Sequence, residues 1–242
     1  YVSVVRGYCR WCLDNGYTNA QLGEWESITP AEINDCAFYV NSGSYITREQ
    51  LDQYVNGLIN PCDQFMLYAF YEGLSGLFYE DVWGLTADRI NGFQKEVILS
   101  SGAVVGVSRE LIACAHESIN TYVYQIYRAP QNIFVEMPLK RDCPFTIKDP
   151  VVGTNPTPSG RSIRLTQKML KIKKALSADD VLSIPRLKNS GFIWRIKERA
   201  KELNISEKAC LMSPDSEDIR MQYSNEAKPF TLRARFFKYL DD

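Results

Sequence analysis

The sequence predicts a mainly α-helical fold with a small antiparallel β-sheet, an α+β architecture, and three observations carry that prediction. Apolar residues recur every three or four positions over most of the chain, behind helix-start signals such as Thr47-Arg-Glu-Gln50 and Ser108. Two short apolar runs rich in β-branched residues, Val97-Ile-Leu99 and Val104-Val-Gly-Val107, flank Ser100-Ser-Gly102 and read as a hairpin. A chain of 242 residues, 45% of them hydrophobic, can bury one large core and part of a smaller one.

Tyr1 to Gly16 places Val4, Val5, Tyr8, Cys12 and Leu13 at helical spacing, and Asn15-Gly16 ends the pattern. The opening reads as the middle of a helix, so a segment upstream of Tyr1 is expected. Cys9 and Cys12 lie inside that pattern, no second Cys-x-x-Cys exists, and His116 is the single histidine. A bound metal is therefore not expected, nor is any cofactor. The seven cysteines read as reduced thiols. No apolar run approaches the roughly 20 residues that span a bilayer, so a soluble cytoplasmic protein without a membrane partner is expected. Thr29-Pro-Ala-Glu32 should start a short helix. Residues 1–43 are read as one unit with its linker, and 44–242 as the main domain.

In that domain Thr47 opens a helix through Leu51, Tyr54, Val55 and Leu58, and Asp63 to Gly73 gives a second, strongly apolar one. Strand-like segments occupy Asp88 to Val107. Ser108 should cap a helix from Arg109 to about Tyr127, with Leu111, Ile112, Ala115, Ile119, Tyr122, Val123 and Ile126 as its buried stripe. His116 inside it reads as structural. Pro130 to Gly160 reads as an irregular connection with room for a hairpin. Ile163 to Leu176 alternates apolar positions with Lys168, Lys171, Lys173 and Lys174, as a cationic amphipathic helix would. Ser177 to Asp180 should cap a short helix, and Phe192 to Leu203 should itself form another helix. The tail, Lys228 to Leu240, is amphipathic, and its apolar side could dock on its own chain or on a second copy.

Charge is distributed unevenly. Residues 1–120 carry six Lys+Arg against fifteen Asp+Glu, a net of 6 − 15 = −9. Residues 161–201 carry twelve Lys+Arg against three acids, a net of 12 − 3 = +9. Such a section is the footprint of a surface that meets nucleic acid or another polyanion, and the total of −1 conceals it.

Ser75-Gly-Leu-Phe78 followed by Asp81-Val-Trp-Gly-Leu85 resembles the Thr-Gly-Leu-Arg and Glu-Leu-x-x-Leu frame of the tyrosine recombinases, the phage-integrase family, with Phe78 in the place of an arginine that holds the scissile phosphate. Ile184-Pro-Arg-Leu-Lys188 resembles the second box, with Pro185 at a histidine and Lys188 at the second arginine. Ser213 falls at the third-box histidine and Tyr223 at the nucleophile. The hairpin turn Ser100 to Ala103 lacks the lysine that acts there as general acid.

The resemblance implies a recombinase catalytic domain over roughly residues 44–223, preceded by the end of a helical core-binding domain. It also implies that the chemistry has been thinned. Phenylalanine cannot neutralise a phosphate, a lysine keeps charge but not the forked donor geometry, and a tyrosine with a pKa near 10 needs assistance. The expected function is a sequence-specific DNA-binding transcriptional repressor, of the recombinase-derived kind that maintains prophage lysogeny. An active, divergent recombinase using Tyr223 is the alternative, and a module that meets an acidic protein is a third reading. Expected partners are an operator in double-stranded DNA, a second copy through the C-terminal segment, and a phage regulatory protein. Arg161, Arg164, Lys168, Lys171, Lys173 and Lys174, with Arg186, Lys188, Arg195 and Arg199, are the expected DNA-contacting residues.

Overall fold

A computed structural model describes residues 8, 10–17, 45–128, 133–152, 156–178, 182–223 and 229–241. The chain divides into two compact units, Tyr1–Ser44 and Tyr45–Asp242. In the first, residues 10–14 are helical and end in a turn where Gly16 takes φ +80°. The expected helix at Thr29 and the expected cap at Ser177 to Asp180 lie wholly or partly outside the described residues.

The second unit is built around one buried helix. α1, Arg48–Asn56, begins with a reciprocal cap in which the Thr47 side chain accepts from the Gln50 amide and the Gln50 side chain from the Thr47 amide. α2, Pro61–Tyr71, follows with proline in its first turn, and every residue from Phe65 to Tyr71 is buried. A helix apolar on all sides needs neighbours on all sides. α2 has them in α1, in α4 (Arg109–Asn120) and in α6 (Ile184–Leu203). Full burial of a Phe or Leu side chain contributes about 2 kcal/mol, so this helix anchors the domain.

Between α2 and α4 the chain forms a 3-10 turn, Leu77–Tyr79, a one-turn α3, Glu80–Trp83, and an antiparallel sheet of β1 (Ile90–Asn91), β2 (Glu96–Ile98) and β3 (Val104–Gly106). Val97 pairs with Val105, and Gly102 at φ +85° turns the hairpin. The helix expected from Arg109 to Tyr127 stops at Asn120. Val123–Arg128 is instead β4, paired in antiparallel register with β5, Ile133–Pro138. β-Branched and aromatic residues crowd this stretch, and the strand partner needed to use them lies inside the segment expected to be irregular. Tyr122, Val123 and Ile126 are accordingly exposed rather than part of a buried helical stripe. His116 is exposed on α4.

α5, Pro158–Ala175, is capped by Thr157 and buries Leu165, Met169 and Ile172. The second-box segment lies within the opening turns of α6, which runs unbroken for 20 residues. α7 (Glu207–Met212), α8 (Glu217–Gln222) and α9 (Pro229–Phe236) complete the domain. Of the tail, Leu232, Phe236 and Leu240 bury in the chain's own second core with Phe192, Ile196, Cys210 and Leu211. Those apolar positions are occupied in cis.

α6 crosses α2 at Gly191. A Cβ there would overlap the Tyr71 carbonyl oxygen. Gly191→Ala should therefore force the helices apart and lower unfolding free energy in urea by about 3 kcal/mol, the upper range for overpacking. A loss within error of zero would contradict this crossing.

Candidate nucleic-acid interface

The end of α2 shows what Tyr223 does in this fold. The last carbonyls of a helix lack intrahelical donors. Here the Tyr71 carbonyl accepts from the Tyr223 hydroxyl at 2.7 Å, and the Glu72 carbonyl accepts from Gln222 Nε2 at 2.7 Å. The C-terminal end of α8 thus caps α2. Tyr223 is 3% exposed, and its ring packs against Gly73 and edge-on against Phe192. Burial raises its hydroxyl well above the ordinary tyrosine value, while Arg195 pulls the other way.

The other positions that match recombinase boxes also carry local structural duties. Pro185 sits in the first turn of α6, where its missing N–H costs nothing. Ser213 caps the 3-10 turn Pro214–Ser216 by accepting from the Asp215 amide at 3.1 Å. Phe78 and Tyr79 both take positive φ, 53° and 59°. Two such residues in a row cost roughly 1–3 kcal/mol each. Offsetting contacts come from Trp83 Nε1, which donates to the Phe78 carbonyl at 3.0 Å, and from the Tyr79 ring edge-on to Phe70. Behind this turn Asp81 accepts from the Ser100 amide at 2.6 Å, and Glu80 accepts from the Ser100 hydroxyl at 2.6 Å. The acidic residues of the first frame hold the hairpin turn.

Lys188 differs. It is half-buried, desolvation lowers its pKa, and no carboxylate among the described residues pairs with it. An ammonium so placed is costly unless an anion arrives. Arg195, seven residues on, shares the face of α6 that carries Gly191. It donates to the Gly106 carbonyl, and its Nε is buried without a partner among the described residues.

The structure separates the remaining basic residues into two sets. Lys168 is bound to Asp63 beneath the surface, with its ammonium 3.9 Å from the Tyr124 ring centre, so its charge is committed internally. Arg161 and Arg164 share Asp149 at 2.8 and 3.1 Å, and Arg161 also lies 4.5 Å over Trp83. Arg199 is tied to Asp218 at 2.8 Å and Glu202 at 3.3 Å. Arg186 is half-buried at the start of α6. Lys171 and Lys174 are exposed and Lys173 half-buried on the last turns of α5, and no described carboxylate lies in ion-pair range of any of them. The large cationic surplus read along the chain therefore shrinks in space mainly to Lys171, Lys173, Lys174, Lys188 and Arg195. The neutralising acids, Asp63, Asp149 and Asp218, are remote in sequence, so a tally along the chain could not pair them.

One central pair escaped the sequence reading altogether. The fully buried Glu72 accepts from Arg48 at 2.8 Å and from the Ser108 amide at 2.7 Å. Its signal was present: a glutamate directly after the run Phe65 to Tyr71 must find a cation inside the fold.

Tyr223→Phe keeps the ring and removes the cap on Tyr71. Its expected cost is about 1 kcal/mol in chemical denaturation, the usual worth of one such bond. No change in stability would mean that the hydroxyl is not committed to the fold.

Comparison of the sequence with functionally curated proteins gives no match. Residues 45–236 match the family described as "MrpR, C-terminal catalytic domain". That span takes in α1 to α9, the box-like stretches and both sheets, so the chain belongs to the MrpR C-terminal catalytic domain family, a recombinase-like catalytic fold.

Proposed function

We propose that this protein grips double-stranded DNA with a recombinase-like domain and does not cut it, acting as a sequence-specific transcriptional repressor. The observation that carries this reading is the contrast between two side chains of the degenerate site. Tyr223 has its hydroxyl used up in capping α2, whereas Lys188 is half-buried, has no carboxylate partner among the described residues and has its pKa lowered by burial. Transition-state charge on phosphorus needs several preorganised donors, and loss of one typically costs about a hundredfold or more in rate. Phe78, Pro185 and Ser213 supply no cation at the positions that match the boxes. Phosphate contact needs only positive charge, and Lys171, Lys173, Lys174 and Lys188 have it. Such a protein would resemble the recombinase-derived master repressor of SPβ-type prophages, and its biological role would be to maintain lysogeny. The acidic-protein reading makes no use of a desolvated lysine among remnants of a phosphate site.

The test is selection of bound duplexes from a random-sequence pool, then mobility shifts of a selected duplex over rising salt. Affinity should fall steeply on a log-log plot. Joint Lys171→Glu and Lys174→Glu substitution should weaken binding and flatten that slope by about two, one per lost phosphate contact. Failure to enrich any sequence would remove the repressor reading.

Lys188→Met gives a sharper expectation. It should lower affinity and flatten the slope by about one, yet leave thermal stability equal or higher, because a desolvated charge is replaced by an apolar chain of similar length. A variant that loses stability but not affinity would show that Lys188 serves the fold.

A further inference from the structure

A cleft lines one face of α5 and shares only Lys171 with the proposed DNA contact. It has a volume of about 210 Å³. One wall is a face of α5 that presents Arg161, Arg164, Leu165, Lys168 and Lys171, at helical spacing of three and four. The facing wall comes from the β4–β5 hairpin, through Tyr124 and Met137, and from the segment Ile147 to Pro150. Trp83 closes one side, and Cys62 also lines the cleft. The Cys62 thiol is raised by burial to about 11 and is therefore neutral near pH 7.

The charge of this lining is unbalanced. Lys148, Arg161, Arg164, Lys168 and Lys171 face a single lining carboxylate, Asp149. Lys148 spends its ammonium on carbonyls, including that of Thr121 at 3.0 Å, and Lys168 is paired with Asp63. The two guanidiniums then divide one carboxylate, each holding one of its oxygens. A guanidinium offers five N–H donors, so donors are left over, and those of the half-exposed Arg164 are accessible. Lys171 has no carboxylate partner among the described residues. Beside these cations the cleft is apolar, with Trp83, Tyr124, Met137, Leu139, Ile147 and Leu165 around it. Arg161 lies over the Trp83 ring at 4.5 Å and beside Phe145 at 5.3 Å, so the cationic rim stands on aromatic side chains.

We propose that this cleft binds a small amphipathic oxyanion, a single-ring or similarly sized apolar body bearing one carboxylate or phosphate. The head group takes Arg164 and Lys171, and the body lies between Leu165 and the aromatic side. Size agrees, since an apolar cavity of about 150 Å³ already admits benzene. Apolar lining with a few convergent polar groups is the ordinary make-up of a small-molecule site. The site does not depend on DNA binding, so it stands or falls separately from the repressor reading. Because α5 carries both Lys171 in the cleft and Lys174 outside it, a bound anion would compete for charge on the same helix.

The experiment is calorimetric titration of the intact protein, without DNA, with phenyl phosphate and with benzoate. Inorganic phosphate and benzyl alcohol serve as head-only and body-only controls. One of the two amphipathic anions should bind in the micromolar to low millimolar range and at least tenfold more tightly than either control. Which one binds more tightly decides between a phosphate and a carboxylate ligand. Arg164→Met and Lys171→Met, both at exposed ends of the cleft, should each weaken binding about tenfold without altering the melting temperature. No heat from either anion at 5 mM overturns the proposal, as does inorganic phosphate binding as well as phenyl phosphate. Affinity unchanged in both variants would overturn it too.

Discussion

The buried helix α2 imposes the constraint from which the rest of the domain follows. Its flanks demand apolar cover on every side, and it carries a carboxylate near each end, Asp63 and Glu72. A buried carboxylate must be met by a cation or hydrogen bonds. Lys168 comes from α5 to meet the first, and Arg48 comes from α1 to meet the second. Ser108 adds its amide and hydroxyl to Glu72 while capping α4, so one carboxylate fixes the start of two further helices. The C-terminal carbonyls of α2 then recruit Tyr223 and Gln222. Four elements are positioned by the polar ends of one apolar helix.

The positions that match recombinase boxes also serve the local backbone. On the proposed reading, a position whose chemistry is no longer needed is free to take a residue that suits that backbone. Proline in the first turn of α6, serine at a cap and a tyrosine on a buried helix end each satisfy a backbone requirement. Lys188 satisfies none among the described residues, and its burial works against the charged form. Proteins tolerate such local costs most often where a ligand is to be bound.

The fold was legible wherever local signals agreed with tertiary demands. Capping residues Thr47 and Ser108 and the Ser100-Ser-Gly102 turn marked their elements because each acts through neighbours a few residues away. The end of α4 was not legible, since apolar residues at 122, 123 and 126 fit a helical stripe as well as a strand. Only the pairing with β5 decides it. The candidate site divides the same way. The box-like stretches are local patterns, but the burial of Tyr223 depends on a carbonyl 152 residues earlier. The commitment of Lys168 likewise depends on Asp63, which only the packing of α5 against α2 brings near.

The account centres on a tyrosine hydroxyl that is part of the fold rather than an attacking group. Incubation of the protein with a duplex of its selected sequence, nicked close to each phosphate in turn so that a cleaved strand cannot religate, tests this most directly. The account predicts retarded, denaturant-reversible complexes and no covalent protein–DNA species at any nick position. A covalent species that forms with the native chain and vanishes in Tyr223→Phe would contradict it.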